Sequence, residues 1–428
     1  MTSYRWTELS LLILPCAFLA LGMATLALVR PELMGGGGVR IASVVVVLLL
    51  VSHFALVWRV PSADQIVLPL VAMLCLIGLV MANRLSVIDS SLMTRQGIWI
   101  AIGLVLLSIV LVLPLDVAIL QSYKYTAAVL GVLLVATTFV FGTDPNNSGV
   151  RAWLGLGGYY FQPSEILKVL LVIFLAGYLE DKRELLAWSS TRFGWLRLPP
   201  IAYLGPLVVM WGIGMLLLVA QRDLGPAMLL FGVMLSMLYV ASSRSYYVWG
   251  GLVAFVIGGY LTYLLFGHVR LRVEVWLDPW SHANAEGFQV VQGLIGLASG
   301  GVIGTGLGLG YPGFTPAVQT DYIISAIGEE LGLAGTLVVV ALFLLLVERG
   351  FRIALDARRG FSMLLAAGLT SVLGIQAIVI LAGTLKIAPL TGITLPFISY
   401  GGSSIVTNFI IIGLLLRISG EGGASRAA

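Results

Sequence analysis

Ionic side chains are scarce in this chain: only 10% of its 428 residues are Asp, Glu, Lys or Arg, where a soluble domain carries about 25%. That scarcity excludes an ordinary water-soluble globule, which has to cover its surface with polar groups. Histidine is nearly absent, confined to His53, His268 and His282, and the two cysteines, Cys16 and Cys75, both sit inside apolar runs. Cysteines so placed suit small core hydrophobes better than a disulfide. Cys and His pairs at ligand spacing, a His-Glu-x-x-His motif and a Walker lysine loop are all missing, which leaves a His/Cys metal site and ATP hydrolysis unsupported.

In place of charge there are long apolar runs. Hydrophobic residues make up 59% of the chain and the mean hydropathy is +1.03, the pattern of an all-α polytopic membrane protein. Runs of near-bilayer length predict twelve helices, starting near Leu9, Ile41, Ile66, Gly97, Lys124, Ser164, Pro200, Leu224, Tyr246, Leu331, Phe361 and Phe397. Arg5 precedes the first run without a clear small-residue cleavage site, so that run reads as an uncleaved helix. Lys and Arg are more frequent on the side shared by the termini, as in the loops around Lys182, Arg183, Arg192 and Arg197 and around Arg349, Arg352, Arg358 and Arg359. The positive-inside rule then makes both termini cytoplasmic, and the net charge of +4 reflects this loop bias, so nucleic acid is not an expected partner. Gly35 to Gly38 and Pro61-Ser62 set off residues 1–60 as an accessory pair of transmembrane helices. Residues 61–428 form the core, with a large outward loop at 267–326 before the tenth span. No internal repeat is evident, and the Gly-, Ala- and Ser-rich Ser419 to Ala428 reads as a disordered end.

In such a chain an ionisable group near the bilayer centre costs about 2.5–3.5 kcal/mol and needs a reason. Asp321, in Thr320-Asp321-Tyr322-Ile323-Ile324, stands in the longest polar stretch and starts a helix-like run. One reading is a helix N-cap; another is a general base kept ionised at a helix N-terminus and open to a hydroxyl substrate. Glu329 and Glu330, about 12 Å further along a helix, read as structural. The glycine-rich stretch before Asp321 contains a formal dinucleotide fingerprint at Gly308 to Gly313, which Pro312 and the lack of a preceding strand disqualify. Arg151 lies in Gly149-Val150-Arg151-Ala152-Trp153-Leu154. Glu165 and Lys168 share one face of the sixth helix, either as a helix-holding ion pair or as a grip on an anionic head group. Gln221-Arg222-Asp223-Leu224-Gly225-Pro226 opens the eighth span. Lys386 precedes Pro389-Leu390-Thr391-Gly392, and Pro396-Phe397-Ile398-Ser399-Tyr400-Gly401-Gly402-Ser403-Ser404 begins the last span, as close packing or as a hydroxyl-lined kink facing a polar cavity.

Four of these stretches, in this order, resemble the SEDS family (shape, elongation, division and sporulation; RodA-, FtsW- and SpoVE-like proteins). They are Phe161-Gln162-Pro163-Ser164-Glu165-x-x-Lys168, Gln221-x-Asp223-Leu224-Gly225, Thr320-Asp321-Tyr322-Ile323 with Gly328-Glu329-Glu330-Leu331-Gly332, and Pro396 to Ser404. The resemblance extends over about residues 61–428. It implies a ten-helix core, to which the first two helices are additional, and it departs from the family at Arg222, where proline is usual. It further implies a peptidoglycan glycosyltransferase that polymerises lipid II at the outer face of the bacterial cytoplasmic membrane, amid membrane lipids. The implied partner is a class B penicillin-binding protein of the elongation or division machinery.

By the same resemblance Asp321 takes the place of the essential aspartate, and Arg151, Glu165 and Lys168 match positions tied to activity or substrate handling. In that chemistry a base removes the acceptor hydroxyl proton, a contribution of about 10²–10⁴-fold. Lys168, Arg151, Lys386 or a bound divalent cation stabilises the leaving diphosphate, and Ser403 lines the substrate path. The competing readings are a lipid II flippase, whose charges would sit near the midplane, and a scaffold of the wall-synthesis machinery.

Overall fold

The computed structural model describes residues 5–33, 37–114, 116–144, 150–156, 159–183, 191–193, 196–198 and 201–426. Gly35, Gly36, Gly149 and Pro200, named among the loop and helix-start residues, lie outside them. The helices are α1 (Trp6–Val29), α2 (Gly37–Arg59), α3 (Val67–Leu85), α4 (Leu92–Val112), α5 (Ile119–Ser122), α6 (Lys124–Phe141), α7 (Pro163–Asp181), α8 (Ile201–Ala220), α9 (Leu224–Ser242), α10 (Ser245–Leu265), α11 (Gly267–Leu277), α12 (Phe288–Gly300), α13 (Ile323–Asp356), α14 (Gly360–Thr384) and α15 (Gly402–Arg426). Two antiparallel hairpins accompany them, β1 (Leu154–Leu156) with β2 (Tyr159–Phe161) and β3 (Thr191–Phe193) with β4 (Leu196–Leu198). Among the described residues ten helices are long and apolar enough to cross a membrane. The fold is that of a multi-pass, all-α membrane protein.

The chain forms two compact units. The first comprises Met1–Val112, Gly259–Arg349 and Gln376–Gly413; the second comprises Leu113–Gly258, Gly350–Ile375 and Leu414–Ala428. In the first, α1 packs on α3 and α2 on α4, and small residues allow the approach: a Cβ on Gly22 would stand 3.1 Å from Val80. The buried Arg5 guanidinium donates to the Ala63 carbonyl (2.6 Å) and the Asp64 carbonyl (2.8 Å) and pairs with the buried Glu8 carboxylate, whose other oxygen meets His53 Nδ1 at 2.5 Å. In the second unit, α6, α7, α8 and α9 share an apolar core of Val135, Leu167, Leu171, Leu218, Ala227 and Leu230.

The helix carrying most of the site is broken. In α13, Gly332 takes φ 69 and ψ −169, a region open to glycine alone. The break cuts the helical bonds that would run from residues 333 and 334 to residues 329 and 330, and the glycine-rich loop replaces all four partners. Leu333 N donates to Gly301 O at 3.0 Å and Ala334 N to Val302 O at 3.1 Å, while Glu329 O accepts from Thr305 N at 2.9 Å and Glu330 O from Gly306 N at 3.0 Å. The side chains of the same glutamates bind the rest of the loop. Glu329 Oε1 accepts from Tyr311 N at 2.6 Å, and Glu330 accepts from Gly308 N at 3.0 Å and from Arg84 Nε at 2.6 Å. Arg84 also donates to Gly310 O at 2.7 Å. The structural reading of Glu329 and Glu330 thus acquires its partners. Small residues of α12 meet the first part of α13: Ser325 Oγ donates to Gly293 O at 2.9 Å, and a Cβ on Gly300 would collide with Gly328 O.

Three expectations are corrected. The tenth span does not begin near Leu331: helix already runs from Ile323 and is interrupted at Gly332. The last helix begins at Gly402, not near Phe397, because Phe397 itself has φ 66 and stops helix formation. Ser419 to Arg426 is helical rather than disordered, and its small residues let Gly422 come close to the Asp356 backbone.

If the break at Gly332 is held by the loop, Gly332→Ala is doubly costly, since its Cβ would collide with Gly304 N in a backbone conformation worth about 1–3 kcal/mol of strain. The variant is expected to melt well below wild type in detergent and to lose amide-exchange protection at Gly301 to Gly306. An unchanged melting curve would show that the break relaxes into continuous helix.

Candidate active site

Asp321 lies just before α13, in a turn closed by bonds from Thr320 N and Asp321 N to Ala317 O, both 3.1 Å. Two further segments of the first unit hold this turn. From the Pro396–Gly401 loop, Ser399 Oγ donates to Thr320 O at 2.5 Å and Tyr400 N donates to Gln319 O at 2.8 Å. From the last turn of α14, Thr384 Oγ1 donates to Asp321 O at 3.3 Å. Ser399 Oγ accepts in turn from Leu395 N at 3.0 Å, which fixes its rotamer.

That loop has its own seat. Gly78 of α3 leaves room for it, since a Cβ there would stand 2.6 Å from Ile398 O. Gln96 reaches Ile398 O at 3.5 Å and Ser399 O at 3.4 Å, and the buried Phe397 ring packs edge-on against Phe409. The positive φ of Phe397 is an uncommon conformation for a bulky residue, and it lets the loop leave Pro396 and still place Ser399 beneath Thr320.

With the backbone of Asp321 held by neighbours, its carboxylate is left out of the helix start. Among the described residues no amide of the first turn of α13 donates to it, so Asp321 does not cap the helix. Oδ2 lies 4.0 Å from the point a Cβ on Gly392 would occupy. Burial pushes its pKa up to about 6, against smaller opposing effects from the Thr320 hydroxyl and the Arg272 guanidinium. The residue is partly exposed while its carboxylate is largely enclosed. A group so placed exists as the base at neutral pH and has an appreciable proton affinity.

Lys386 follows α14 with φ 58. Its Nζ donates to Leu277 O at 3.4 Å, and its carbonyl accepts from Trp276 Nε1 at 3.1 Å, so it joins the end of α11 to the turn that holds Asp321. Ser403 is buried in the first turn of α15, beside Gly402, which abuts the Trp99 indole.

The second unit brings two of the sequence motifs together. Gln162 Nε2 donates to Asp223 at 2.9 Å, and Gln221 Nε2 donates to Thr138 Oγ1 at 2.6 Å and to Val135 O at 3.2 Å. Pro163 opens α7, where its missing N–H costs nothing, and sets Glu165 and Lys168 in the first turn and a half. Their side chains are buried, with Lys168 Nζ 2.7 Å from Glu165 Oε2. Arg151 is exposed, ahead of β1. Arg222 has φ 62, which a proline ring forbids, so the departure from proline at this position goes with a backbone that proline could not adopt.

Asp321, Lys386 and Ser403 therefore belong to the first unit, and Arg151, Glu165 and Lys168 to the second. Among the described residues no three His, Cys, Asp or Glu side chains cluster as a metal site. Sequence reasoning overlooked Thr384, Ser399, Gln96 and Gly78 as holders of the Asp321 turn, and Arg272 as a charge acting on it. Only Ser399 lay inside a motif; the others carry no local signal.

The model of the FtsW/RodA/SpoVE cell cycle proteins matches residues 65–422. The peptidoglycan glycosyltransferase RodA of Mycobacterium bovis is 38% identical over 376 residues, covering 86% of this chain and 80% of its own length. The probable peptidoglycan glycosyltransferase FtsW of Geobacter metallireducens is 33% identical over 366 residues, covering 83% and 94%. Among solved structures, a chain from work on the structural coordination of polymerization and crosslinking by a peptidoglycan synthase complex superimposes with a TM-score of 0.69 at 27% identity, covering 83% of this chain and 97% of that one. The rod shape determining protein RodA of Thermus thermophilus superimposes with a TM-score of 0.59 at 26% identity, covering 83% and 96%. Matched along most of its length in sequence and in fold, the chain belongs to the FtsW/RodA/SpoVE family of cell cycle proteins.

Proposed function

We propose that this peptidoglycan glycosyltransferase polymerises lipid II at the outer face of the cytoplasmic membrane, with Asp321 as its general base. The observation that carries the reading is the Asp321 carboxylate itself, whose backbone is pinned from two sides while the acid caps nothing and keeps a raised proton affinity. In the reaction the acceptor GlcNAc O4 attacks the donor MurNAc C1. The O4 proton passes to Asp321, and the C1–O bond breaks with its electron pair leaving on undecaprenyl diphosphate. Preorganised cations stabilise that developing charge; Lys386, which is joined to the turn that holds Asp321, takes this part.

Both termini are cytoplasmic in this reading, by the positive-inside rule. A class B penicillin-binding protein, in elongation or division, is the crosslinking partner; the structural relative from a complex that couples polymerization to crosslinking supports this. Glu165 and Lys168 sit near the start of α7 rather than mid-helix, where a transport path would concentrate its charges, so the flippase reading gains nothing from them. Residues 1–60 act as an accessory pair of helices, in keeping with a family match that begins at residue 65. A chain lacking 1–60 is expected to retain polymerisation in a lipid II assay while melting lower; complete inactivity of a well-inserted truncation would make the pair part of the catalytic core.

Asp321→Asn keeps the side chain's shape and removes its basicity. Polymer formation from lipid II, resolved on gels, is expected to fall by about 10²-fold or more, and glycan made at the wild-type rate by the Asn variant would remove Asp321 from the mechanism. The wild-type rate should climb with pH through about 6 and level off above it, as the carboxylate becomes the base. Stability moves the opposite way. A folded pKa raised above the unfolded value near 4 makes ionised Asp321 unfavourable for the fold, increasingly so as pH rises from 4 through 6. Asp321→Asn should therefore melt at or above the wild-type temperature at pH 7.5, with the advantage gone at pH 4.

Lys168→Met leaves Glu165 as an unmatched buried charge and is expected to reduce polymerisation more than Arg222→Gln at equal membrane levels. Equal small losses would show that the Glu165–Lys168 pair is dispensable.

A further inference from the structure

Helix α11 has no role in the reading above, yet it is fastened to the active-site turn. Trp276 Nε1 donates to Lys386 O at 3.1 Å and Lys386 Nζ donates back to Leu277 O at 3.4 Å. Two residues before Lys386, Thr384 holds Asp321 O. The face of α11 that bears Trp276 is thus the one turned toward this junction. Arg272 stands four residues earlier, one helical turn away on the same face.

The other charges of the helix are spent elsewhere. Arg270 Nε is bonded to Glu274 Oε1 at 2.9 Å across an i,i+4 spacing. Arg272 is exposed, and among the described residues no carboxylate forms an ion pair with it. It is nevertheless near enough to act on the charge of Asp321. An exposed guanidinium without a carboxylate partner, on the face of α11 that looks toward the base, is a ready anion site. A planar guanidinium suits phosphate oxygens in two-point contact.

We infer that Arg272 binds the diphosphate of the lipid-linked donor, standing between that anion and the Asp321 carboxylate. This rests on the glycosyl-transfer reading and adds to it the residue that receives the leaving group. The arrangement answers a problem intrinsic to the reaction: the base is an anion and must work beside a substrate that carries a diphosphate. Without an interposed cation the two would repel. With Arg272 between them, the positive charge stabilises the departing diphosphate as the C1–O bond breaks and keeps Asp321 ionised to accept the O4 proton. Lys386, anchored to the same helix end, supplies the second cation.

The test compares wild type, Arg272→Gln and Arg272→Lys, each as full-length protein in detergent. Lipid II is the substrate, and geranyl diphosphate, a short prenyl diphosphate, stands in for the leaving group as an inhibitor. Arg272→Gln is expected to weaken geranyl diphosphate inhibition and raise the KM for lipid II by about tenfold or more, as loss of a charge-assisted contact does. Arg272→Lys should recover part of both, and melting curves should match wild type because the side chain is exposed. Unchanged inhibition and KM in Arg272→Gln, while Asp321→Asn is inactive, would overturn the assignment of Arg272 and leave the function standing. Full activity of Asp321→Asn would instead remove the reading on which the inference depends. A loss in Arg272→Gln confined to kcat, with inhibition intact, would also overturn it, because diphosphate binding would then not be what Arg272 provides.

Discussion

In a bilayer a polypeptide cannot leave peptide groups without partners, and this protein meets that constraint at the point where α13 is broken. Gly332 interrupts the helix, and the four backbone groups that lose their helical partners find new ones, two carbonyls and two amides of residues 301 to 306. The glycine-rich loop is therefore held by hydrogen-bond necessity as much as by apolar packing. Its glycines are required where the backbone passes closest: a Cβ on Gly304, which has φ 84, would collide with Glu330 O. Once the loop is fastened, the short helical piece from Ile323 to the break has a fixed position, and Tyr322 and Asp321 at its start are placed with it.

The buried charges around this break follow from the same requirement. Glu330 is fully buried, a costly location for a carboxylate unless it is paired and hydrogen-bonded. Arg84 from α3 and the Gly308 amide supply those bonds, while Arg84 finishes its own set on the Gly310 carbonyl. Such an arrangement adds little net stability over a well-packed apolar substitute, but it selects one loop conformation. Asp321 contrasts with Glu330: both are shielded carboxylates, yet Glu330 is matched by the Arg84 guanidinium and one loop amide, while Asp321 has no ion pair among the described residues. The difference in surroundings separates a structural acid from a reactive one.

Much of this was legible in the sequence because the membrane imposes a simple code. Runs of apolar residues located the helices, and the start expected near Ser164 falls one residue from that of α7, which Pro163 opens. The features that escaped are those decided by residues far apart. The break at Gly332 lies inside a run whose hydropathy does not change there, and only the loop thirty residues earlier makes it tolerable. Gly78 resembles any small residue in a transmembrane helix until Ile398 comes to rest on it from 320 positions away. The start of the last helix was misplaced for a related reason: Phe397 belongs by composition to an apolar span, and its positive φ is imposed by a loop seated on Gly78, Gln96 and Phe409. The motifs drew the eye to Asp321, whereas the residues that hold it, Thr384 among them, have no local pattern to betray them.

The knot of Arg5, Glu8 and His53 bears on how the chain enters its membrane. Arg5 and Glu8 pair with one another at the start of α1, and His53, near the end of α2, meets Glu8 only when the two helices stand antiparallel. Presented alone to lipid, α2 would carry His53 without its Glu8 partner, and the Arg5 guanidinium would lack the Ala63 and Asp64 carbonyls. Folded back on one another they present a neutralised interior and an apolar exterior. The energetically accessible route of insertion is thus a hairpin released as one piece, with the carbonyls of Ala63 and Asp64 completing the guanidinium's bonds as α3 follows.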